Sequence, residues 1–214
     1  LSDYIRSNAF SVGLESLSDS GWTLSNQGVQ QLLNKLRAAG TPLGEYVQGK
    51  IYRGVLTGLN EAFVIDAATR DRLIAEDGRS AEVIKPFLAG RDIKRYQVPA
   101  VTRFLIYIPW HFPLHQDATI KGASLEAEQA FKEQYPAIYN HLHSYKIELQ
   151  NRNKAETGIR YEWYALQRWA SEYYKEIPKP KILIPAIIQR PSMALDDKGV
   201  FSNDKTTIVI SDSR

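Results

Sequence analysis

The chain has 214 residues, 43% of them hydrophobic, which is enough for one large domain or two small ones with an ordinary core. It contains no cysteine, which excludes disulfides, thiolate zinc sites and cysteine nucleophiles, and no apolar run long enough to span a membrane. The net charge of +3 is uneven, because Lys85 to Arg103 hold five basic residues against one acidic, and Lys146 to Arg190 hold nine against five.

These two basic windows favour a polyanionic partner, although a solvated face is the other interpretation of each window. Residues 1–80, in contrast, carry eight basic and nine acidic side chains. The lack of cysteine suits the cytoplasm, where we expect the protein. The N-terminus shows no signal peptide. Because the sequence begins with Leu1 rather than methionine and contains only one Met, we expect it to be part of a longer protein.

The first predicted elements are a helix and a strand pair. Ser25 is expected to cap a helix over residues 26–39, which Gly40 would end. "KIYRGVLT" (50–57) and "EAFVID" (61–66) are typical of β-strands, and we expect them to be joined at Gly58 as a hairpin.

A second set of elements follows between residues 71 and 109. Residues 71–75 predict a helical turn, and Ser80 is expected to cap a short helix, "AEVIKPFL" (81–88). "GRDIKRY" (90–96) predicts a loop, and "RFLIYIP" (103–109) predicts a strand.

Residues 124–153 are expected to form the main helical block. Ser124 precedes the first helix, and Pro136 is expected to open the second at its first position. An apolar stripe at spacings of 4, 3 and 4 predicts the face that meets the core: Ile138, Leu142, Tyr145 and Leu149.

The C-terminal part predicts short strands. "KILIPAII" (181–188) is typical of a buried strand, and "SMAL", "VFSN" and "TTIVI" predict a meander that runs to the C-terminus. The predicted fold class is therefore α+β, with mainly antiparallel sheets and a helical block at about 124–153.

Common catalytic motifs are absent from the sequence. It has no phosphate-binding loop, no dinucleotide-binding turn and no nucleophile elbow. Pro113 separates His111 from His115, and His141 and His143 point in different directions on a helix, so we predict no metal site.

One catalytic alternative is a magnesium-dependent nuclease. Asp66 together with Asp92 and Lys94 imitates the pattern of two acidic residues and a lysine that holds Mg²⁺ beside a phosphate. Asp92 lies in a predicted loop rather than a strand, however, so we interpret it as a partner of Arg91 or Arg95 or as a turn cap.

The segment "YEWYALQRWA" (161–170) combines aromatic with polar side chains. Its aromatic residues are expected to alternate toward the core, which leaves Arg160, Gln167 and Arg168 as candidate nucleic-acid contacts. Arginine matches phosphates or guanine O6 and N7, and glutamine can pair with adenine N6 and N7.

Several ordered motifs resemble one known family. "RGVLTGLNEAFVID", "RDRLI", "SAEVIKPFLAGRDIKRY", "YPAIYNHLHSYKIELQNR", "YEWYALQR" and "KPKILIP" look like the TaqI-like specificity domain, over residues from about Trp22 to Ile210. Such domains are the target-recognition domains of adenine-N6 DNA methyltransferases and of type IIG restriction–modification enzymes. The resemblance implies a connecting segment at 1–21 and a recognition domain at 22–214.

The resemblance also implies what this chain lacks and what it binds. The Asn-Pro-Pro-aromatic motif and the S-adenosylmethionine site of such methyltransferases do not occur in it. We therefore expect no catalytic activity and no cofactor here, with S-adenosylmethionine bound by a catalytic domain outside this chain. The implied partners are double-stranded DNA and the protein's own N-terminal methyltransferase domain, with no membrane. A protein-interaction module that docks a methylase subunit through residues 136–150 remains an alternative.

Gly54, Gly58 and Phe63 are expected to belong to the scaffold. Arg91 is a candidate contact, and its rival interpretation is an ion pair with Asp92 or with a buried carboxylate that holds the loop. The full set of predicted DNA contacts is Arg53, Asn60, Arg91, Lys94, Arg95, Arg160, Gln167, Arg168 and Lys181.

Overall fold

The computed structural model describes residues 1–14, 17, 19, 21–97 and 100–211. It divides the chain into two compact units, Leu1–Gly49 and Lys50–Arg214. The domain boundary expected between residues 21 and 22 falls inside the first of these units.

Among its described residues, the first unit contains three helices: α1 (Ser2–Asn8), α2 (Gln27–Ala39) and α3 (Leu43–Tyr46). The predicted helix at 26–39 is confirmed, but its cap is Asn26, whose side chain accepts a hydrogen bond of 3.1 Å from the amide of Val29. Gly40 ends this helix as predicted, and its amide donates to the carbonyl of Leu36.

The second unit combines helices with short strands. Its helices are α4 (Asn60–Phe63), α5 (Ala67–Glu76), α6 (Ser80–Val83), α7 (Leu125–Gln134), α8 (Pro136–His143) and α9 (Lys146–Asn151), with a 3-10 helix at Gly90–Asp92. Its strands are β1 (Ile51–Arg53), β2 (Val64–Asp66), β3 (Ile84–Leu88), β4 (Arg103–Ile106), β5 (Lys181–Pro185), β6 (Ala194–Asp196), β7 (Phe201–Ser202) and β8 (Thr206–Val209). Across the described part of the chain, none of the helices is long and apolar enough to cross a bilayer.

The strands form two four-stranded sheets. The first has the order β1-β8-β5-β6 and is antiparallel throughout. The second has the order β2-β4-β3-β7, in which only the pairing of β3 with β7 is parallel. The predicted α+β class with mainly antiparallel pairing is therefore confirmed.

The predicted hairpin at Gly58 is wrong, because β1 and β2 belong to different sheets. Residues 60–63 form α4 instead of extending the second strand. Gly58 does adopt a positive φ of 77°, and a Cβ there would lie 2.7 Å from atoms of both Arg152 and Gln167. The glycine is therefore required both by its backbone conformation and by the close approach of these side chains.

The predicted helix at 81–88 is also wrong. Only Ser80–Val83 is helical, and the chain continues as β3, which pairs with β4 from Ile84 to Phe87. Pro86 explains the change, since proline lacks an amide donor and clashes inside a helix. The C-terminal strands exist, but they do not form one meander, because β7 joins the second sheet while β6 and β8 join the first.

The helical block follows the prediction closely. The Ser124 side chain caps α7 by accepting a hydrogen bond of 3.1 Å from the amide of Ala127, and Pro136 opens α8. Ile138, Leu142 and Leu149 are fully buried, so the predicted stripe packs in the core.

The aromatic segment departs from the alternation expected of a strand. Residues 161–166 are all buried, and they lie in turns rather than in a strand. Buried Glu162 organises the surrounding chain, because its carboxylate accepts from the amide of His111 at 2.7 Å, from its Nδ1 at 3.0 Å and from the amide of Ser124 at 2.9 Å. Satisfying the carboxylate in this way is what makes its burial tolerable.

We expect His141 to make the fold sensitive to acid. Its Nε2 donates to the carbonyl of Ala62 at 3.0 Å, and burial lowers the pKa of its imidazole. The unfolded chain then binds more protons than the folded chain, so the free energy of unfolding should fall as the pH drops below about 6.5, by at most about 1.4 kcal/mol per pH unit. Urea unfolding at pH 7.5 and 5.5 measures this loss.

His141→Gln should reduce that pH dependence, because its amide can still donate to Ala62 but cannot take up a proton. His143→Gln is the matched control, since His143 is exposed on the same helix. An unchanged slope in His141→Gln would assign the acid sensitivity to other groups.

Candidate nucleic-acid interface

Three chain segments meet around the turn that precedes β8. The carbonyl of Lys205 in this turn accepts a hydrogen bond of 2.8 Å from the amide of Ala186. A Cβ at Gly90 would lie only 2.9 Å from the same carbonyl oxygen, and a Cβ at Gly54 would overlap the carbonyl oxygens of Ser202 and Asn203. The glycines therefore allow the three backbones to approach closely.

A cleft of about 610 Å³ opens between these segments. Its charged lining consists of Arg91, Arg103, Lys205 and Glu61, of which Arg103 pairs with Asp92 and Lys205 pairs with Asp204 at 3.3 Å. Asn60 lines the same cleft and also a neighbouring cavity of about 300 Å³. The cleft thus places three cationic side chains near an amide side chain, which are groups that can contact phosphates and base edges.

Arg91 and Asp92 do not form an ion pair in the structure. The Asp92 carboxylate accepts a hydrogen bond of 2.8 Å from the amide of Ala89, so it caps the turn as predicted, and its ion-pair partner is Arg103. The interpretation in which Arg91 or Arg95 pairs with Asp92 is therefore wrong. Within the ranges that the structure describes, the guanidinium of Arg91 has no ion-pair partner, and the residue is exposed.

The other two basic residues of this loop are exposed as well. The Lys94 ammonium donates to the carbonyl of Arg91 at 2.9 Å. The Arg95 guanidinium lies 4.9 Å from the ring centroid of Tyr96, and the amide of Tyr96 donates to the carbonyl of Met193. These contacts order the loop, and both cationic groups stay at the surface.

Asn60 and Gln167 both lie near Gly58. The Asn60 Oδ1 accepts a hydrogen bond of 2.8 Å from the Thr57 hydroxyl, which leaves the amide nitrogen available to a ligand. Gln167 packs against Gly58, and Arg168 exchanges two backbone hydrogen bonds of 2.9 Å with Leu56. The structure therefore brings the two predicted amides to one loop.

Arg152, which the sequence analysis did not identify, holds these two segments together. Its guanidinium donates to the carbonyls of Thr57, Trp163 and Ala165, and the Trp163 bond measures 3.0 Å. Burial lowers the pKa of Arg152 to about 10, so the group stays protonated at neutral pH. One side chain thus connects the loop of Asn60 with the segment that leads to Gln167.

Three other predicted contacts lie at the surface. Arg53 is exposed at the end of β1, and its carbonyl accepts a hydrogen bond of 2.9 Å from the Tyr173 hydroxyl. Exposed Arg168 lines a separate cavity of about 360 Å³ that Trp110 shares. Arg160 pairs with Glu156 at 2.7 Å, and its guanidinium lies 5.4 Å from the Trp110 ring centroid.

The structure contradicts the prediction for Lys181. Its side chain is fully buried, and its ammonium donates to the carbonyl of Ile177 and pairs with Asp196. In β5 the side chain lies on the same buried face as Leu183 and Pro185, which explains its inward position. Lys181 therefore supports the core and cannot reach a ligand.

The three residues of the nuclease alternative each have a structural partner. Asp66 caps α5 by accepting a hydrogen bond of 2.8 Å from the amide of Thr69, which is the largest cause of its lowered pKa. Asp92 pairs with Arg103, and Lys94 contacts a backbone carbonyl. Over the described residues, no group of three or more acidic or histidine side chains is placed to hold a metal ion.

The sequence analysis did not predict two further residues of the cleft, Lys205 and Arg103. Lys205 lies in the turn "SNDK" between two predicted strands, and a basic residue at such a turn was a usable signal. Arg103 begins a predicted strand, where the sequence alone does not indicate the side to which it points.

Comparisons with known proteins identify the family of this chain. The family model of the TaqI-like C-terminal specificity domain matches residues 85–214. Type II methyltransferase M.MjaIV of Methanocaldococcus jannaschii is 24% identical over 142 residues, which cover 66% of this chain and 42% of that protein, so the chain spans less than half of this relative. The solved structure of the type IIL restriction-modification enzyme MmeI in complex with DNA gives a TM-score of 0.44 at 14% identity, over 76% of this chain and 19% of that one. The family predicted from the motifs is confirmed, and the chain belongs to the TaqI-like C-terminal specificity domains.

Proposed function

We propose that this chain reads a short asymmetric sequence of double-stranded DNA on behalf of an adenine-N6 methyltransferase or a combined restriction–modification enzyme. The observation that carries the proposal is the cleft that joins Asn60 with Arg91, Arg103 and Lys205. Membership of a specificity-domain family and similarity to a type II methyltransferase support it.

The cationic and the amide side chains of this surface are expected to contact different parts of the duplex. Cationic groups such as Arg91, Lys94 and Arg95 bind phosphates and fix the position of the duplex. The amides of Asn60 and Gln167 suit adenine, to whose N6 and N7 they can pair at two points. Each such base contact would contribute about 1–3 kcal/mol of discrimination between bases.

The chemical reaction belongs to another part of the proposed protein. A methyltransferase domain outside this chain would bind S-adenosylmethionine and flip the target adenine out of the duplex. This chain would hold the flanking duplex firmly, which helps to offset the cost of unstacking one base. Its own residues would neither methylate nor cleave DNA.

The direct test is the salt dependence of duplex binding. A fluorescent duplex of random sequence should bind the chain with a dissociation constant of about 10⁻⁴–10⁻⁶ M at physiological salt. A plot of log affinity against log salt should fall by about 0.9 for each phosphate neutralised. Arg91→Ala should weaken binding to all sequences and flatten this slope by about that amount, because it removes one cation from the cleft.

Lys132→Ala is the matched control, because Lys132 is an exposed cation of α7 that lines none of the cavities described above. Tight binding to a methylase subunit, without salt-sensitive binding to DNA, would replace the proposal by the interaction module. Plasmid nicking with Mg²⁺ that Asp92→Ala abolishes would replace it by the nuclease.

A further inference from the structure

The loop between β5 and β6 presents two consecutive isoleucines to solvent. Ile187 is 87% exposed, the highest value among the large hydrophobic residues described in the second unit, and Ile188 is 43% exposed. Single exposed apolar residues are common on protein surfaces, but an adjacent exposed pair in one loop forms a small apolar patch that a partner could cover.

Backbone hydrogen bonds fix the loop on both sides of the two isoleucines. The amide of Ala186 donates to the carbonyl of Lys205 at 2.8 Å, immediately before Ile187. On the other side of the loop, the carbonyl of Met193 accepts a hydrogen bond of 3.1 Å from the amide of Tyr96. Both ends of the loop are therefore attached to neighbouring segments of the candidate interface.

The residues around Ile187 and Ile188 indicate the chemistry of their partner. Ile187 lines the cleft together with Arg91 and Lys205, and Gln189 and Arg190 follow the isoleucines as exposed polar residues. An apolar group with cations beside it matches a duplex, in which stacked bases lie between two rows of phosphates. A purely apolar protein surface would not need these charges.

We propose that Ile187 and Ile188 form an apolar wedge that enters the DNA duplex at a base step. Aliphatic side chains that enter a base step unstack it partly and bend the duplex around the protein. The cleft cations would hold the phosphates on either side of the opened step. This inference rests on the proposed function and adds a mode of contact to it.

An abasic site tests the wedge without knowledge of the recognised sequence. A duplex of about 25 base pairs that lacks one central base has already lost stacking at that step, so a protein that opens a step binds it more tightly. We expect the wild-type chain to prefer this duplex about tenfold over the intact one in fluorescence anisotropy.

Ile187→Ala/Ile188→Ala should lose this preference and bind both duplexes with equal affinity, and it should keep the slope of log affinity against log salt, because the cleft cations are unchanged. Ile147→Ala is the matched control, because Ile147 is an equally aliphatic, 73% exposed residue on α9 that does not line the cleft. Its preference should equal that of the wild type.

The outcomes separate the wedge from the proposed function. Salt-dependent binding of both duplexes with equal affinity by the wild-type chain would overturn the wedge alone. An abasic preference that survives the double substitution would also overturn it, and would leave the isoleucines to a protein partner. If neither duplex binds in a salt-dependent manner, the proposed function itself fails.

Discussion

Arg152→Ala should reduce the free energy of unfolding by about 3–5 kcal/mol, because three buried carbonyls lose a charged donor at once. These carbonyls belong to Thr57, Trp163 and Ala165, so the loss falls on two segments that carry candidate contacts. The guanidinium also lies 5.5 Å from the ring centroid of Phe63, and that contact disappears too. Urea unfolding at pH 7.5 measures the change.

Arg152→Lys should recover only part of the loss, since one ammonium cannot reproduce the planar arrangement of the guanidinium donors. Arg160→Ala is the matched control, because Arg160 makes an exposed ion pair with Glu156 and should change stability by less than about 0.5 kcal/mol. Equal effects of the Arg152 and Arg160 substitutions would show that the three carbonyl contacts do not hold the fold.

Asp196→Ala should be similarly damaging, at about 3–5 kcal/mol, because it leaves the Lys181 ammonium buried without its carboxylate. The same carboxylate accepts from the amides of Lys198 at 2.9 Å and Val200 at 2.8 Å, so the turn after β6 loses its cap as well. Thermal and urea unfolding of the variant test this expectation.

Lys181→Met/Asp196→Asn separates the two contributions. It removes both charges together and keeps an oxygen that can accept from the turn, so it should recover most of the stability. Lys179→Ala is the surface control, because its ion pair with Glu176 is half-exposed and weak. If the double variant is no more stable than Asp196→Ala, the buried charge is not the cause of the loss.

Local patterns predicted the helices that begin and end with clear signals. Ser124 and Pro136 mark the starts of α7 and α8, and the periodic stripe of Ile138 and Leu142 identifies the buried face. These signals lie within a few residues of the structure that they determine, so a single sequence contains them.

Strand pairing was harder to predict, because it depends on distant residues. The partner of β1 is β8, more than 150 positions away, and nothing near Gly58 distinguishes that pairing from a hairpin. Among the predicted contacts, the sequence alone does not tell that Arg91 is exposed and Lys181 is buried. Only the alternation along β5, which places Lys181 beside Leu183, distinguishes a buried amine from an exposed one.

The parallel pairing of β7 with β3 and the pairing of β8 with β1 also determine when the fold can be completed during synthesis. Both sheets of the second unit require strands from residues 201–209, so β1 and β3 leave the ribosome long before these partners exist. The nascent chain therefore exposes unpaired edges of β1 and β3 until residues 201–209 have been synthesised. Pairing between such distant strands is expected to slow the completion of the fold.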